Sequence, residues 1–166
     1  MKLYHGSNTY IYRINLLKGR KGKDFGRGFY LSEDLEQARA MAEAVTEREE
    51  EGKPVVTTFE FDGNALQDGS LNIKVFPEYS EEWVDFIVDN RKNKTDDLIH
   101  DYDIVIGPIA DDKVITQLNR YFNGYQDKKS LIENLKYRLD TGEIKMTIQY
   151  FFGTERAISK LTRCDE

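Results

Sequence analysis

Two short segments of this chain carry residue types that do chemistry at backbone turns. Tyr4-His5-Gly6-Ser7 joins an imidazole that both donates and accepts, a glycine that lets a ligand approach the backbone, and a hydroxyl. Gly26-Arg27-Gly28-Phe29-Tyr30-Leu31-Ser32 places two glycines and two aromatic rings ahead of a residue type that caps helices. A third position stands out in the run Ile148-Gln149-Tyr150-Phe151-Phe152, where Gln149 is polar among bulky apolar neighbours. Its amide can orient a hydroxyl group but carries no charge and cannot act as a general base.

Familiar catalytic and cofactor signatures are missing from the sequence. It has no Walker-type phosphate loop, Rossmann-type glycine fingerprint, HExxH zinc motif or nucleophile elbow. With two histidines, His5 and His100, and one cysteine, Cys164, no metal site built on several imidazoles or thiolates is possible. Asp101, Asp103, Asp111 and Asp112 do not follow EF-hand spacing, and capping accounts for them, so no metal is expected.

Charge is unevenly spread along the chain. The net charge is -6, which argues against a protein that coats nucleic acid through its phosphates. Between Arg13 and Arg27, however, six basic residues meet the single acid Asp24, a local excess suited to a small polyanion. The lone cysteine lies near the end, reads as an idle thiol in a frayed tail, and is compatible with a reducing compartment. No apolar run approaches a membrane span, and the first residues do not form a signal peptide, so a cytoplasmic protein without membrane contact is expected.

The candidate residues need a frame, and the hydrophobic pattern supplies one. Residues 2–5 read as a strand, and 16–28, with four glycines, as a flexible loop. Phe29-Tyr30-Leu31 then enters a helix expected over 33–50, capped by Ser32, with Leu35, Ala38, Ala42 and Val45 along one stripe. Strands are expected over 54–61 and 71–76, a helix over 80–90 and a buried strand over 102–109. A helix capped by Asp111 or Asp112 follows, then another over 130–139 stopped by Gly142. The alternation over 143–152 predicts one long strand, and Thr154 or Glu155 a last helix running to residue 161. No repeat or linker divides the 166 residues, and the mixed order of strands and helices predicts a single α+β domain over 1–166.

In this order, the motifs resemble the ADP-ribosyltransferase superfamily, in the branch typified by diphtheria toxin and the poly(ADP-ribose) polymerases. That branch has a His-Gly-Ser/Thr strand, a Gly-x-Gly-x-Tyr strand leading into a helix, and an acid on a late strand. His5-Gly6-Ser7 and Gly26-Arg27-Gly28-Phe29-Tyr30 match the first two, and Gln149 best matches the third, with Glu155 as its rival. The whole chain, including Tyr102-Asp103-Ile104-Val105-Ile106-Gly107-Pro108-Ile109-Ala110, more closely resembles a bacterial family of unknown function assigned to this superfamily.

The resemblance implies two small mixed β-sheets flanked by helices, with an NAD cleft between them. It implies that His5 bonds the adenosine ribose, that the backbone of Gly6 meets the nicotinamide amide, that Ser7 belongs to the cofactor-binding set, and that Tyr30 stacks on the nicotinamide ring. Gln149 would touch the nicotinamide ribose, making His5, Tyr30 and Gln149 the catalytic set, while Gly28 lies in the cofactor-binding motif. The loop from Arg20 to Arg27 is assigned to the pyrophosphate from its charge alone. Three positions depart from the pattern: Gln149 replaces a glutamate, Met41 a second stacking tyrosine and Ala38 a serine. Chain elongation is therefore not expected, and Thr147 stands where arginine-modifying members carry an acid.

The expected activity is mono-ADP-ribosyl transfer from NAD to a macromolecular acceptor, protein or nucleic acid, with release of nicotinamide. Family context adds a toxin or defence role with an antitoxin or immunity partner. An NAD glycohydrolase and a catalytically inactive NAD-binding or interaction module stand as alternatives, the latter favoured by the neutral Gln149.

Overall fold

A computed structural model describes residues 1–164. Seven strands form one mixed sheet: β1 (Lys2–Ser7), β2 (Phe29–Ser32), β3 (Val55–Phe61), β4 (Ile73–Val75), β5 (Ile104–Pro108), β6 (Ile148–Phe152) and β7 (Leu161–Arg163). Their spatial order is β4-β5-β6-β2-β1-β3-β7, with β4 parallel to β5 and every other pairing antiparallel. The α+β class expected from the sequence is the class observed.

The sheet is continuous rather than split in two, because β2 pairs on both of its edges. Phe29↔Phe152 through Ser32↔Gln149 joins it to β6, and Tyr4↔Ser32 joins it to β1. That second seam is thin, since one paired position carries it. Beyond the seam, the imidazole of His5 reaches across, its Nδ1 2.7 Å from the carbonyl oxygen of Tyr30. A side chain thus satisfies a backbone acceptor where the ladder stops.

Among the described residues, five α-helices follow from their caps: α1 (Leu35–Glu49), α2 (Glu81–Lys92), α3 (Asp112–Phe122), α4 (Lys128–Asp140) and α5 (Glu155–Ile158). Asp34, not Ser32, caps α1 by accepting from Glu36 and Gln37 N–H, while the Ser32 hydroxyl accepts from Asp34 N–H. The extra two residues keep Ser32 in β2, and so shorten the expected helix. Ser80, Asp111, Asp127 and Thr154 cap the other four.

Side-chain alternation along the strands divides the core into two layers. Phe151 and Val105 join α2, α3 and α4 on one face, with Trp83 fully buried and its Nε1–H donating to Pro108 O at 3.1 Å. Phe29, Leu31, Tyr150 and Phe152 face the other layer, closed by Ala65, Ala157 and partly buried residues such as Ile14 and Leu66. The dense apolar run of β5 serves both layers, as its complete burial requires.

Three expectations near the end of the chain need correction. Residues 143–147 are not strand: Ile144 is buried against the helical layer, so the alternation there reflects packing of a connecting segment onto that core. The last helix stops at Ile158, and residues 161–163 turn back to pair with β3 through Phe61↔Leu161 to Phe59↔Arg163. Cys164 follows that strand with its N–H bonded to Thr58 O at 2.9 Å, so this part of the tail is held rather than frayed.

Candidate functional site

A cleft of about 270 Å³ opens on the helical face, bounded by α1 and α2. Its walls are Arg20, Lys21, Gly22, Lys23 and Asp24 from the loop before β2, Met41 from α1 and Arg91 from α2. Tyr30 on β2, Gln149 on β6, and Ile109 and Ala110 after β5 complete it. Three sequence-derived candidates, Arg20, Tyr30 and Gln149, therefore meet in one place although 129 residues separate the first from the last.

The loop of residues 19–28 is anchored, in contrast to the flexible segment its glycines suggested. Phe25 is fully buried and packs against Tyr30, Phe76 and Phe86. Its carbonyl oxygen takes the Nε2–H of His100 at 2.7 Å, a tautomer fixed by Tyr102 N–H donating to Nδ1 at 3.2 Å. Gly26 follows with φ +104°, a conformation that L side chains rarely adopt, and Leu98 would lie 2.7 Å from any Cβ added there. Arg27 donates to the carbonyl oxygens of Gly19 and Leu17 and pairs with Asp96 at 3.2 Å. It is a brace for the loop and does not line the cleft, whereas Arg20, Lys21 and Lys23 do.

Tyr30 carries the most specific environment in the cleft. Its hydroxyl donates to Gly26 O at 2.5 Å and accepts from Phe25 N–H at 3.1 Å, which pins the ring against the loop. Burial raises the phenol's pKa well above its usual value, so it stays neutral. The ammonium of Lys23 sits over the ring, 4.5 Å from its centroid. The ring face thus already holds a cation. Burial, joined by Arg20, Arg48 and Arg91, lowers the Lys23 pKa against the opposing pull of Asp24.

Asp24, which motif reading passed over, is the acid at the centre of this basic wall. Arg91 donates to its Oδ1 from Nε at 2.7 Å and Nη2 at 2.6 Å. Ala110 N–H and Gln149 Nε2 donate to Oδ2 at 3.3 and 3.4 Å. The usable signal in the sequence was its isolation among six bases, which marks a carboxylate that must be paired.

The first motif lies elsewhere. His5 stacks on Phe29 with ring centroids 4.1 Å apart, on the face of β2 opposite to the one Tyr30 uses. Burial lowers its pKa to about 4, the bond to Tyr30 O opposing and Lys23 adding to the shift. Gly6 serves packing: a Cβ there would stand 1.9 Å from Ala38 O and 2.7 Å from Ala42 N, so α1 rests directly on β1. Gly28 likewise admits the Phe151 ring, which a Cβ would meet at 2.3 Å. Ser7 bonds only to its neighbour, Oγ donating to Asn8 Oδ1 at 3.4 Å, among the described residues. Glu155 is exposed at the start of α5 and does not line the cleft, whereas Gln149 does.

The four aspartates set aside for capping have separate tasks. Asp111 caps α3, and the fully buried Asp103 accepts from Thr154 Oγ1, Asn72 N–H and Arg156. Among the described residues, no group of three or more His, Cys, Asp or Glu is arranged to hold a metal ion. No helix among them is long and apolar enough to cross a membrane.

The chain belongs to a family described as Protein of unknown function (DUF3990), whose model matches residues 1–162. No curated protein and no solved structure matches it.

Proposed function

We propose that the cleft binds NAD and that the chain is an ADP-ribosyltransferase, moving one ADP-ribose unit to a macromolecular acceptor. The observation that carries this reading is the Tyr30 ring, held through its hydroxyl by two backbone bonds with a cation over its face. A nicotinamide that is cationic while attached to ribose suits the same face, and loses that attraction once it leaves as a neutral ring. Arg20 and Lys21 line the same cleft and offer charge to a pyrophosphate, Lys21 while pairing with Asp96 at 2.8 Å, whereas Arg91 is held by Asp24. Gln149 offers an amide to a ribose hydroxyl, and its fit and that of Tyr30 support NAD better than a ligand without a cationic ring.

NAD supplies a ribose carbon whose bond to nicotinamide breaks with the electron pair leaving on the nicotinamide nitrogen. The chain's residues do the rest by position: Tyr30 holds the ring, Gln149 orients the sugar, and Arg20 with Lys21 holds the phosphates. The acceptor's nucleophilic atom bonds to the same carbon and gives up its proton to water. His5 acts one step removed, holding the strand that carries Tyr30 through its bond to the Tyr30 carbonyl.

Titration calorimetry with NAD tests the reading. The parent chain is expected to bind and Tyr30→Ala to show no measurable heat, with Glu155→Ala retaining affinity because its side chain is exposed outside the cleft. Equal binding by the parent and Tyr30→Ala contradicts the site.

A further inference from the structure

Gln149 and Asp24 come from opposite ends of the chain and share a hydrogen bond in the cleft, Nε2 to Oδ2 at 3.4 Å. An amide can face either way, and this one is told apart by its neighbour: a carboxylate accepts only, so the nitrogen must turn to Asp24. The oxygen Oε1 is then the free acceptor, with no hydrogen-bond partner among the described residues.

Asp24 is itself fixed before any ligand arrives. Arg91 holds Oδ1 through two nitrogens, and Ala110 N–H holds Oδ2. The next residue, Phe25, is locked in the core by its ring, its N–H and its carbonyl. With Oδ1 committed to Arg91, Oδ2 faces Gln149 in a wall that also carries Arg20, Lys21 and Lys23.

We propose that Asp24 is the positioning residue for Gln149, turning its Oε1 toward the ligand and placing beside it the negative charge that the glutamine lacks. The inference rests on the NAD-binding reading of this cleft. It makes the functional unit at the third motif position a pair, a neutral amide on β6 and a carboxylate delivered by the basic loop. Bond breaking builds positive charge on the ribose, which a fixed carboxylate and a correctly turned carbonyl oxygen both favour.

Nicotinamide release and NAD affinity are measured for the parent, Asp24→Asn, Gln149→Glu and the double variant, each after a thermal melt. Asp24→Asn, whose side chain can donate to Gln149 as well as accept, is expected to lower kcat by about 10- to 100-fold. KM and the calorimetric Kd for NAD stay within about threefold of the parent, because ground-state binding is untouched. Adding Gln149→Glu to Asp24→Asn returns one carboxylate to the pair and restores kcat. A parent-like kcat in Asp24→Asn, or a loss that Gln149→Glu fails to restore, overturns the pairing.

If Asp24→Asn does not fold, Asp24→Glu keeps the charge beside Arg91 but moves it by one methylene out of register with Gln149, and carries the comparison. The same loss of kcat at constant Kd supports the proposal, and an unchanged kcat overturns it. A parent chain that neither binds NAD nor releases nicotinamide removes the reading of the cleft, and the proposal with it.

Discussion

The imidazole of His5 and the ring of Tyr30 leave the sheet on opposite faces, yet His5 Nδ1 lies 2.7 Å from the Tyr30 carbonyl oxygen. The two motifs are thus coupled through a backbone atom at the one seam where β1 and β2 share a single paired position. His5 clasps the strand whose next task is to present Tyr30 to the cleft.

This clasp depends on pH in a defined direction. His5 titrates near its usual 6.5 in an unfolded chain and near 4 when folded, with burial as the main cause. Between those values the unfolded chain binds more protons, so stability falls as pH drops from 6.5 and this contribution is gone below 4. His100 is depressed in the same sense, mainly by burial. Melting temperatures between pH 7 and 4 should decline in the parent and decline less steeply in His5→Phe, which keeps the stacking on Phe29 without a titrating ring. A parallel decline in both would place the acid sensitivity elsewhere.

Gly6→Ala tests whether the glycine of the first motif serves packing. The added methyl meets the backbone of Ala38 and Ala42, which cannot yield without lifting α1 from β1. Overpacking of this kind destabilises by about 1–3 kcal/mol, which for a chain of this size lowers Tm by roughly 2–12 °C. A parent-like Tm would show that α1 has room to move.

Lys23 occupies the face of Tyr30 that the proposed NAD site offers to nicotinamide. Replacing it with Ala clears the ring, and a cation–π contact of about 0.5–2 kcal/mol predicts a roughly 2- to 30-fold gain in affinity for a pyridinium such as N-methylnicotinamide. Calorimetry with that probe reads the gain directly. Weaker binding in Lys23→Ala would mean that the ammonium supports the ligand instead of occupying its place.

Tyr30→Phe separates the ring from its hydroxyl. It leaves Gly26 O and Phe25 N–H without their partner, at about 1–3 kcal/mol for buried groups, while the stacking face remains. The expected result is a lower Tm with NAD affinity largely kept, against the loss expected of Tyr30→Ala. Equal affinity loss in both variants would assign binding to the hydroxyl.

Most elements were legible because their signals are local. Ser80 and the acids after it mark the start of α2, and the unbroken apolar run of residues 104–108 marks a strand buried on both sides. The failures have a common cause in tertiary pairing. Leu161-Thr162-Arg163 has no strand signal of its own and is drawn into the sheet by the free edge of β3. Residues 143–147 alternate like a strand but find no partner strand along their length.

The site divides in the same way. Tyr30 and Gln149 were found because a motif and an anomaly point to them, and register sets both on the face of the cleft, with Tyr30 opposite Phe151 and Gln149 opposite Ser32. Asp24 was visible as a lone acid, but its bond to Gln149 spans 125 positions and depends on how Phe25 plugs the core. Arg27 looked equal to Arg20 in composition, and only the carbonyl oxygens of Leu17 and Gly19 show that it faces the loop.

The most direct measurement is incubation of the purified chain with NAD labelled in its ADP-ribose half, with and without cell lysate, reading free nicotinamide and macromolecule-bound label together. The account predicts nicotinamide release and bound label from the parent and neither from Tyr30→Ala. Release without bound label would replace the transferase with a glycohydrolase. Neither product, in a parent chain that also fails to bind NAD, would contradict the account and leave an interaction module.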